Sequence, residues 1–169
     1  MTQTCKHKRL ELSKIPLKHI VFDHDGTLVD TSSYKRKLYE GIKELLEFTR
    51  SNKLEIYVWT ARERRSTVEI LESLDIISMF SGLSCGSEVA MKPSPEGIKF
   101  MLQDVDPDSV MVIGDSVGDI IGGNEFGATT VGAIWAYNDN RAEQYMKDNG
   151  ANFTCNTVED LKKIIMKRI

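Results

Sequence analysis

His19-Ile20-Val21-Phe22-Asp23-His24-Asp25-Gly26-Thr27-Leu28 is a short apolar run that stops at two carboxylates one residue apart, followed by a glycine and a hydroxyl. A buried strand that ends in two acids is costly unless positive charge meets them. A metal ion together with a phosphate group meets that need, so the pair points to phosphoryl chemistry.

Working outward, apolar runs alternate with helical patterns. Lys18 to Phe22 predicts a buried strand. Tyr34 to Arg50 carries Leu38, Ile42, Leu45, Leu46 and Phe48 near helical spacing and predicts one helix. Leu54 to Trp59 predicts a second strand, and Ser66 to Leu74 a helix with Val68, Leu71 and Leu74 on one side. Leu83-Ser84-Cys85 fits a short third strand. Ser94-Pro95-Glu96 predicts the start of a helix running to about Gln103, with Ser94 as cap. Val110 to Ile113 and Thr129 to Trp135 predict two more strands around a helix from about Gly118 to Phe126. A helix over Arg141 to Asp148, a short strand near Asn152 to Thr154 and a helix over Val158 to Lys167 follow.

Strands separated by helices imply parallel βαβ units. In such sheets ligands bind beyond the carboxyl ends of the strands. Polar residues gather there: Asp23 and Asp25 after the first strand, Thr60 after the second, Asp115 and Asp119 after the fourth. Gly122 and Gly123 fit close helix–sheet contact rather than a nucleotide loop.

Composition narrows the class. The 169 residues suffice for one domain with a sizeable core, and 41% apolar with 28% charged residues is the profile of a globular protein. A net charge of −3 gives no nucleic-acid footprint. No apolar run approaches a membrane span, and the N-terminus lacks the apolar region of a secretory signal. Cys5, Cys85 and Cys155 form no CxxC pair, which argues against a zinc site or disulfide framework and for reduced thiols in a cytoplasmic setting. Residues 1–17 read as a polar, basic N-terminal extension, and 18–169 as a single core domain.

Four elements occur in order: Asp23-His24-Asp25-Gly26-Thr27, Thr60, Lys92-Pro93, and Gly114-Asp115-Ser116-Val117-Gly118-Asp119. This order resembles the haloacid dehalogenase superfamily over nearly the whole chain from Ile20 onward. Gly26-Thr27-Leu28-Val29-Asp30 and Met91-Lys92-Pro93-Ser94-Pro95 look most like its phosphoglycolate-phosphatase branch. The resemblance implies an α/β fold, a three-layer doubly wound Rossmann-like parallel sheet, and a phosphomonoester phosphatase that uses Mg²⁺. Asp23 would be the nucleophile that forms an aspartyl-phosphate. Asp25 would protonate the leaving oxygen and then take a proton from the hydrolytic water. The Mg²⁺ ligands would be the Asp23 side chain, the Asp25 carbonyl and the Asp115 side chain, with Asp119 bracing the metal's waters or Lys92. Thr60 would donate to the phosphoryl oxygens, Lys92 would neutralise charge on Asp23 and the phosphate, and backbone N–H groups around His24 and Ala61 would hold the remaining oxygens.

The second acid matters. Members of the superfamily that attack carbon lack it, and P-type ATPases carry threonine there, so Asp25 argues for phosphate hydrolysis. Related phosphatases often insert a helical cap after the acid motif. Here only about thirty residues connect Thr27 to Trp59, room for one loop and one helix, and the stretch between Thr60 and Lys92 is similarly short. The chain therefore reads as a capless member with an open site. Such a site suits a large phosphorylated substrate, or a small one shielded by a second copy of the chain. A phosphotransferase of the same fold, or a non-catalytic phosphate-binding module, are the competing readings.

Plainer readings stand beside several residues. Asp115 and Asp119 fit helix capping, Thr60 a β-residue or cap, and Lys92 a solvated loop. Of Arg62, Arg64 and Arg65, Arg62 is the best placed to reach substrate; a solvated helix start is the alternative. Lys35, Arg36 and Lys37 read as a solvated face. His24 reads as a backbone contributor whose side chain points to the entrance, and Trp135 and Tyr137 as packing aromatics.

Overall fold

Ile20, Val21 and Phe22 are completely buried, which places β1 (His19–Phe22) in the middle of a sheet covered on both faces. The computed structural model describes residues 14–137, 139 and 141–169. β1 pairs in parallel with β4 (Glu55–Thr60) on one side and with β6 (Val110–Gly114) on the other. β5 (Gly82–Cys85) extends the sheet beyond β4, and β7 (Thr129–Ala133) and β8 (Phe153–Cys155) extend it beyond β6. All five pairings are parallel, in the order β5-β4-β1-β6-β7-β8.

Alternation along each strand sorts side chains to two faces. Ile20, Phe22, Ile56, Val58, Met111 and Ile113 pack in one core with helices α1 (Ile42–Ser51), α2 (Arg64–Ser73) and α6 (Val158–Met166). Val21, Tyr57, Trp59, Val110 and Val112 pack in the other with Ile98 of α3 (Glu96–Met101) and the end of α4 (Val117–Phe126). Each fully buried side chain of this size contributes about 1.5–3 kcal/mol, so β1 alone anchors both layers. α5 (Arg141–Asp148) adds Met146 to a smaller cluster with Ile120 and Ile134. The result is the three-layer doubly wound α/β sandwich expected from the sequence.

The order of strand addition reverses between β1 and β6: β4 and β5 are added on one side of β1, then β6, β7 and β8 on the other, all parallel. The crevice at such a switch point is where open α/β sheets bind ligands. α4 comes close to this crevice because residue 122 is glycine. A Cβ there would lie 2.5 Å from both the Pro93 carbonyl oxygen and the Trp59 ring.

The stretch read as one helix over Tyr34 to Arg50 is corrected. Only Ile42–Ser51 is helical. Ahead of it, β2 (Val29–Asp30) and β3 (Lys37–Leu38) form an antiparallel hairpin, with Val29 opposite Leu38. Gly41 stops the helix from starting earlier, because it takes a left-handed φ of 82°. Leu38 kept helical spacing because it packs against the same core as α1. The cap at Ser94 is corrected too: α3 begins after Pro95 with no side-chain cap, and the Ser94 N–H turns back to the Met91 carbonyl.

No cap domain interrupts the described residues; the hairpin is the whole insertion between the acid motif and α1. No helix among them is long and apolar enough to cross a membrane. Cys85 and Cys155 are buried free thiols, and Cys5 lies outside the described residues, as do residues 1–13 of the expected extension. Leu17, at the end of that extension, is buried, and its N–H donates to the Arg168 carbonyl. Arg168 in turn donates to the Ile15 and Asp108 carbonyls and to Thr129 Oγ1.

Candidate active site

The carboxyl ends of β1, β4 and β6 deliver Asp23, Thr60 and Asp115 to one crevice. Asp23 is buried, and its Oδ1 accepts from Lys92 Nζ at 2.6 Å. The same ammonium donates to Asp119 Oδ1 at 2.5 Å. Lys92 comes from the loop before α3, where its peptide bond to Pro93 is cis, and its Nζ also lies 4.6 Å from the centre of the Trp59 ring. Asp119 sits in the first turn of α4, and its Oδ2 accepts from both Ser116 N and Ser116 Oγ. One Asp119 oxygen thus caps α4 while the other accepts from Lys92.

Carboxylate oxygens of Asp23, Asp115 and Asp119 lie within 4.8 Å of one another. Burial pushes the Asp23 carboxyl well up; Lys92 opposes this, while Asp119 and Asp115 add to it. Burial and then Asp119 raise Asp115 as well. Lys92 is held above the ordinary lysine value because Asp23 and Asp119 outweigh its burial. Lys92 pairs with two of the three carboxylates, Asp23 and Asp119, so the cluster holds more acid groups than cations, and all three donors are hard oxygens. That set fits Mg²⁺. Asp23 and Asp115 are the better placed to hold it, since Asp119 has both oxygens engaged by Lys92 and Ser116.

Gly26 is required beside this cluster. Its φ is 78°, and a Cβ would fall 2.2 Å from Asp115 Oδ2. Tyr137, read from sequence as packing, donates its hydroxyl to the Asp115 carbonyl at 2.9 Å and lies 3.2 Å from Asp115 Oδ2. Nothing in its sequence context signals this contact, which a loop brings about. Trp135 Nε1 donates to the Thr27 carbonyl, tying the loop after β7 to the acid motif.

Asp25 is held differently. Arg62 grips it from the turn after β4, with Nη2 at 2.7 Å from Oδ1 and Nε within 3.2 Å of both oxygens. Burial pushes the Asp25 carboxyl up, but His24 and Arg62 outweigh it and hold the group far below the usual carboxylate range. His24 is corrected: its ring is fully buried instead of facing the entrance, with Nδ1 3.3 Å from Asp25 Oδ2. Thr60 Oγ1 accepts from the Arg62 N–H at 3.1 Å, which leaves its own O–H to donate. Ala61 follows at the exposed lip of the crevice. Arg64 pairs with Glu88 and Arg65 with Glu69, so Arg62 is the one of the three that faces the acid motif. Lys35 and Arg36 are exposed at the hairpin tip, in line with a solvated face.

The raised carboxyls set a pH dependence. With no cation bound, the folded protein holds protons at the Asp23–Asp115 pair to a higher pH than the unfolded chain, whose carboxyls ionise near about pH 4. Their contribution to stability is therefore lost as pH rises through their native values. Asp25 acts in the opposite sense and a lower window, adding stability above about pH 4 that is lost as pH falls. A cation bound by ionised carboxylates offsets the first loss. Thermal melts in EDTA and in Mg²⁺ should show a larger Mg²⁺-induced rise at pH 8 than at pH 5; an equal rise at both would rule out this linkage.

Proteins of known class share this plan. The family model for haloacid dehalogenase-like hydrolases matches residues 32–133. The acid pair lies just ahead of that range. The chain belongs to this family. A phosphoglycolate phosphatase of Haemophilus influenzae is 31% identical over 107 residues, which are 62% of this chain and 48% of that protein. An N-acetylmuramic acid 6-phosphate phosphatase of Pseudomonas putida is 29% identical over 136 residues, covering 76% of this chain and 58% of that one. The chain thus spans about half the length of such relatives. A haloacid dehalogenase-like protein from Agrobacterium tumefaciens superposes with a TM-score of 0.80 at 17% identity, covering 89% of this chain and 98% of that one, and so shares the fold.

Proposed function

We propose that the protein is a Mg²⁺-dependent phosphomonoester phosphatase working through an aspartyl-phosphate. The observation that carries this reading is Lys92, whose ammonium spans Asp23 and Asp119 beside Asp115, at the carboxyl edge of the switch point. An Asp23 oxygen attacks phosphorus while the P–O bond to the alcohol breaks. Asp25 gives a proton to the departing oxygen, then takes one from the water that attacks the phosphoryl group. That second attack frees phosphate and restores Asp23. Thr60 and the Ala61 N–H would hold phosphoryl oxygens, and Lys92 would offset their charge. Bound Mg²⁺ would neutralise the phosphoryl group against the carboxylates, held by Asp23, the Asp25 carbonyl and Asp115. Asp119 would act through Lys92.

Residues 18–169 form the catalytic core in this reading, with 1–17 as an extension. Among the described residues, the hairpin, the turn after β4 and the loop after β7 would face the leaving group. The phosphatase relatives make small phosphorylated acids and sugars the first substrates to try.

Phosphate release from a broad panel of phosphomonoesters, with Mg²⁺ and with EDTA, tests the proposal. Release that needs Mg²⁺ and is independent of any acceptor alcohol supports it. A protein that binds Mg²⁺ yet releases no phosphate from any ester would overturn it, and release that requires an alcohol acceptor would mark a phosphotransferase.

A further inference from the structure

We infer that Tyr137 is a positioning residue for the metal: its hydroxyl, carried on a braced turn after β7, fixes the rotation of the Asp115 carboxylate and so sets the affinity of the site for Mg²⁺. This rests on the phosphatase reading and adds to its site a residue that lies outside the four sequence elements.

The turn that carries Tyr137 is tied down along its length. Ile134, directly after β7, is buried beside Ile120 and Met146, and its N–H donates to the Cys155 carbonyl at 3.0 Å. The Tyr137 N–H returns to the Ile134 carbonyl at 3.1 Å, which closes the turn over residues 134–137. In the sheet β7 adjoins β6, and β1 lies one strand further away. Trp135 nevertheless reaches the far side, where its Nε1 donates to the Thr27 carbonyl at 3.1 Å. The turn thus spans the end of β6 and is fastened on both sides of it, so the phenol arrives at Asp115 on a fixed base.

Asp115 needs such a partner. Lys92 holds Asp23 and Asp119, and among the described residues it makes no ion pair with Asp115. The Tyr137 hydroxyl lies 2.9 Å from the Asp115 carbonyl oxygen and 3.2 Å from its Oδ2, so one group spans the main chain and the side chain of the same residue. Gly26 confines Oδ2 from another direction, since a Cβ there would fall 2.2 Å from it. A carboxylate wedged in this way cannot turn freely. The chemistry of the partner matters as well. A second ammonium at Asp115 would compete with a divalent cation, whereas a neutral hydroxyl orients the acid and leaves its charge for the metal. Tyr137 is 45% exposed, so loss of its hydroxyl removes an orienting contact and little packing. Removing a partner that orients a metal-binding side chain weakens metal affinity by about 10–100-fold.

Calorimetric titration of Mg²⁺ into the metal-free protein at pH 8 tests this without turnover. Tyr137→Phe should raise the Kd for Mg²⁺ by about tenfold or more. Its melting temperature in EDTA should stay within about two degrees of the parent, because the hydroxyl matters only to the loaded site. With any ester the parent hydrolyses, the variant should need about tenfold more Mg²⁺ for half its maximal rate, yet regain the parent kcat once Mg²⁺ saturates. Equal Kd values overturn the inference and leave the phosphatase reading untouched. A melting temperature in EDTA that falls by many degrees makes the role structural and also overturns it, as does a kcat that saturating Mg²⁺ fails to restore. If Tyr137→Phe binds Mg²⁺ about tenfold more weakly but the parent releases phosphate from no ester, the positioning role stands and the phosphatase reading falls. A parent protein that binds no Mg²⁺ removes both.

Discussion

Asp23→Asn leaves a folded protein that has lost phosphate release by about four orders of magnitude or more. The amide keeps the size of the carboxylate but cannot attack phosphorus, so no covalent intermediate forms. The fold should tolerate the change, because Asp23 is a buried acid crowded by Asp115 and Asp119. Removing its charge relieves that repulsion while costing Lys92 one of its two partners. Steady-state phosphate release and acid-quenched phosphoprotein should both fall to background, and the melting temperature in EDTA at pH 8 should not drop by more than a few degrees. Undiminished turnover would remove Asp23 as the nucleophile.

The second large effect is expected at Lys92. Its side chain is 10% exposed and bridges two carboxylates, one of which is wholly buried. Lys92→Met keeps the length of the side chain and its packing on Trp59, yet strands both acids without a counter-ion. Breaking a buried ion pair in this way costs about 3–5 kcal/mol. Urea unfolding in EDTA at pH 8 measures it. Asp119→Asn in the same chain should return part of the loss, because only one stranded carboxylate then remains. Activity should fall by about 10²–10³-fold in Lys92→Met, since the phosphoryl charge loses its fixed cation. A Lys92→Met protein as stable as the parent would show that the ammonium contributes no net stability.

β1 was legible because a central parallel strand must be a continuous apolar run, and Ile20-Val21-Phe22 is one that ends at an acid pair. The same logic found β4 and β6, and with them the positions of Thr60 and Asp115. The Ser116–Asp119 capping pair was open to reading because it is local. The hairpin was not legible: strands of two residues carry no periodicity, and Leu38 lay on the spacing of the helix that follows. Arg62's partner lies 37 residues away, and charge alone does not single Arg62 out from Arg64 and Arg65. The His24 ring and the Tyr137 hydroxyl depend on the path of the chain around the acid motif, which no pattern of residue types encodes.

Both tryptophans of the chain stand at this crevice. The Trp59 ring lies beneath the Lys92 ammonium, and Trp135 donates to the Thr27 carbonyl beside the acid motif. The protein thus carries its own optical reporters. A charge held 4.6 Å from an indole shifts its emission when the field around it changes, so arrival of an anion at Lys92 should be visible in the intrinsic fluorescence without any label. Trp59→Phe and Trp135→Phe would assign the signal to the phosphate side or to the acid-loop side, giving a stopped-flow record of how the site fills before any bond is broken.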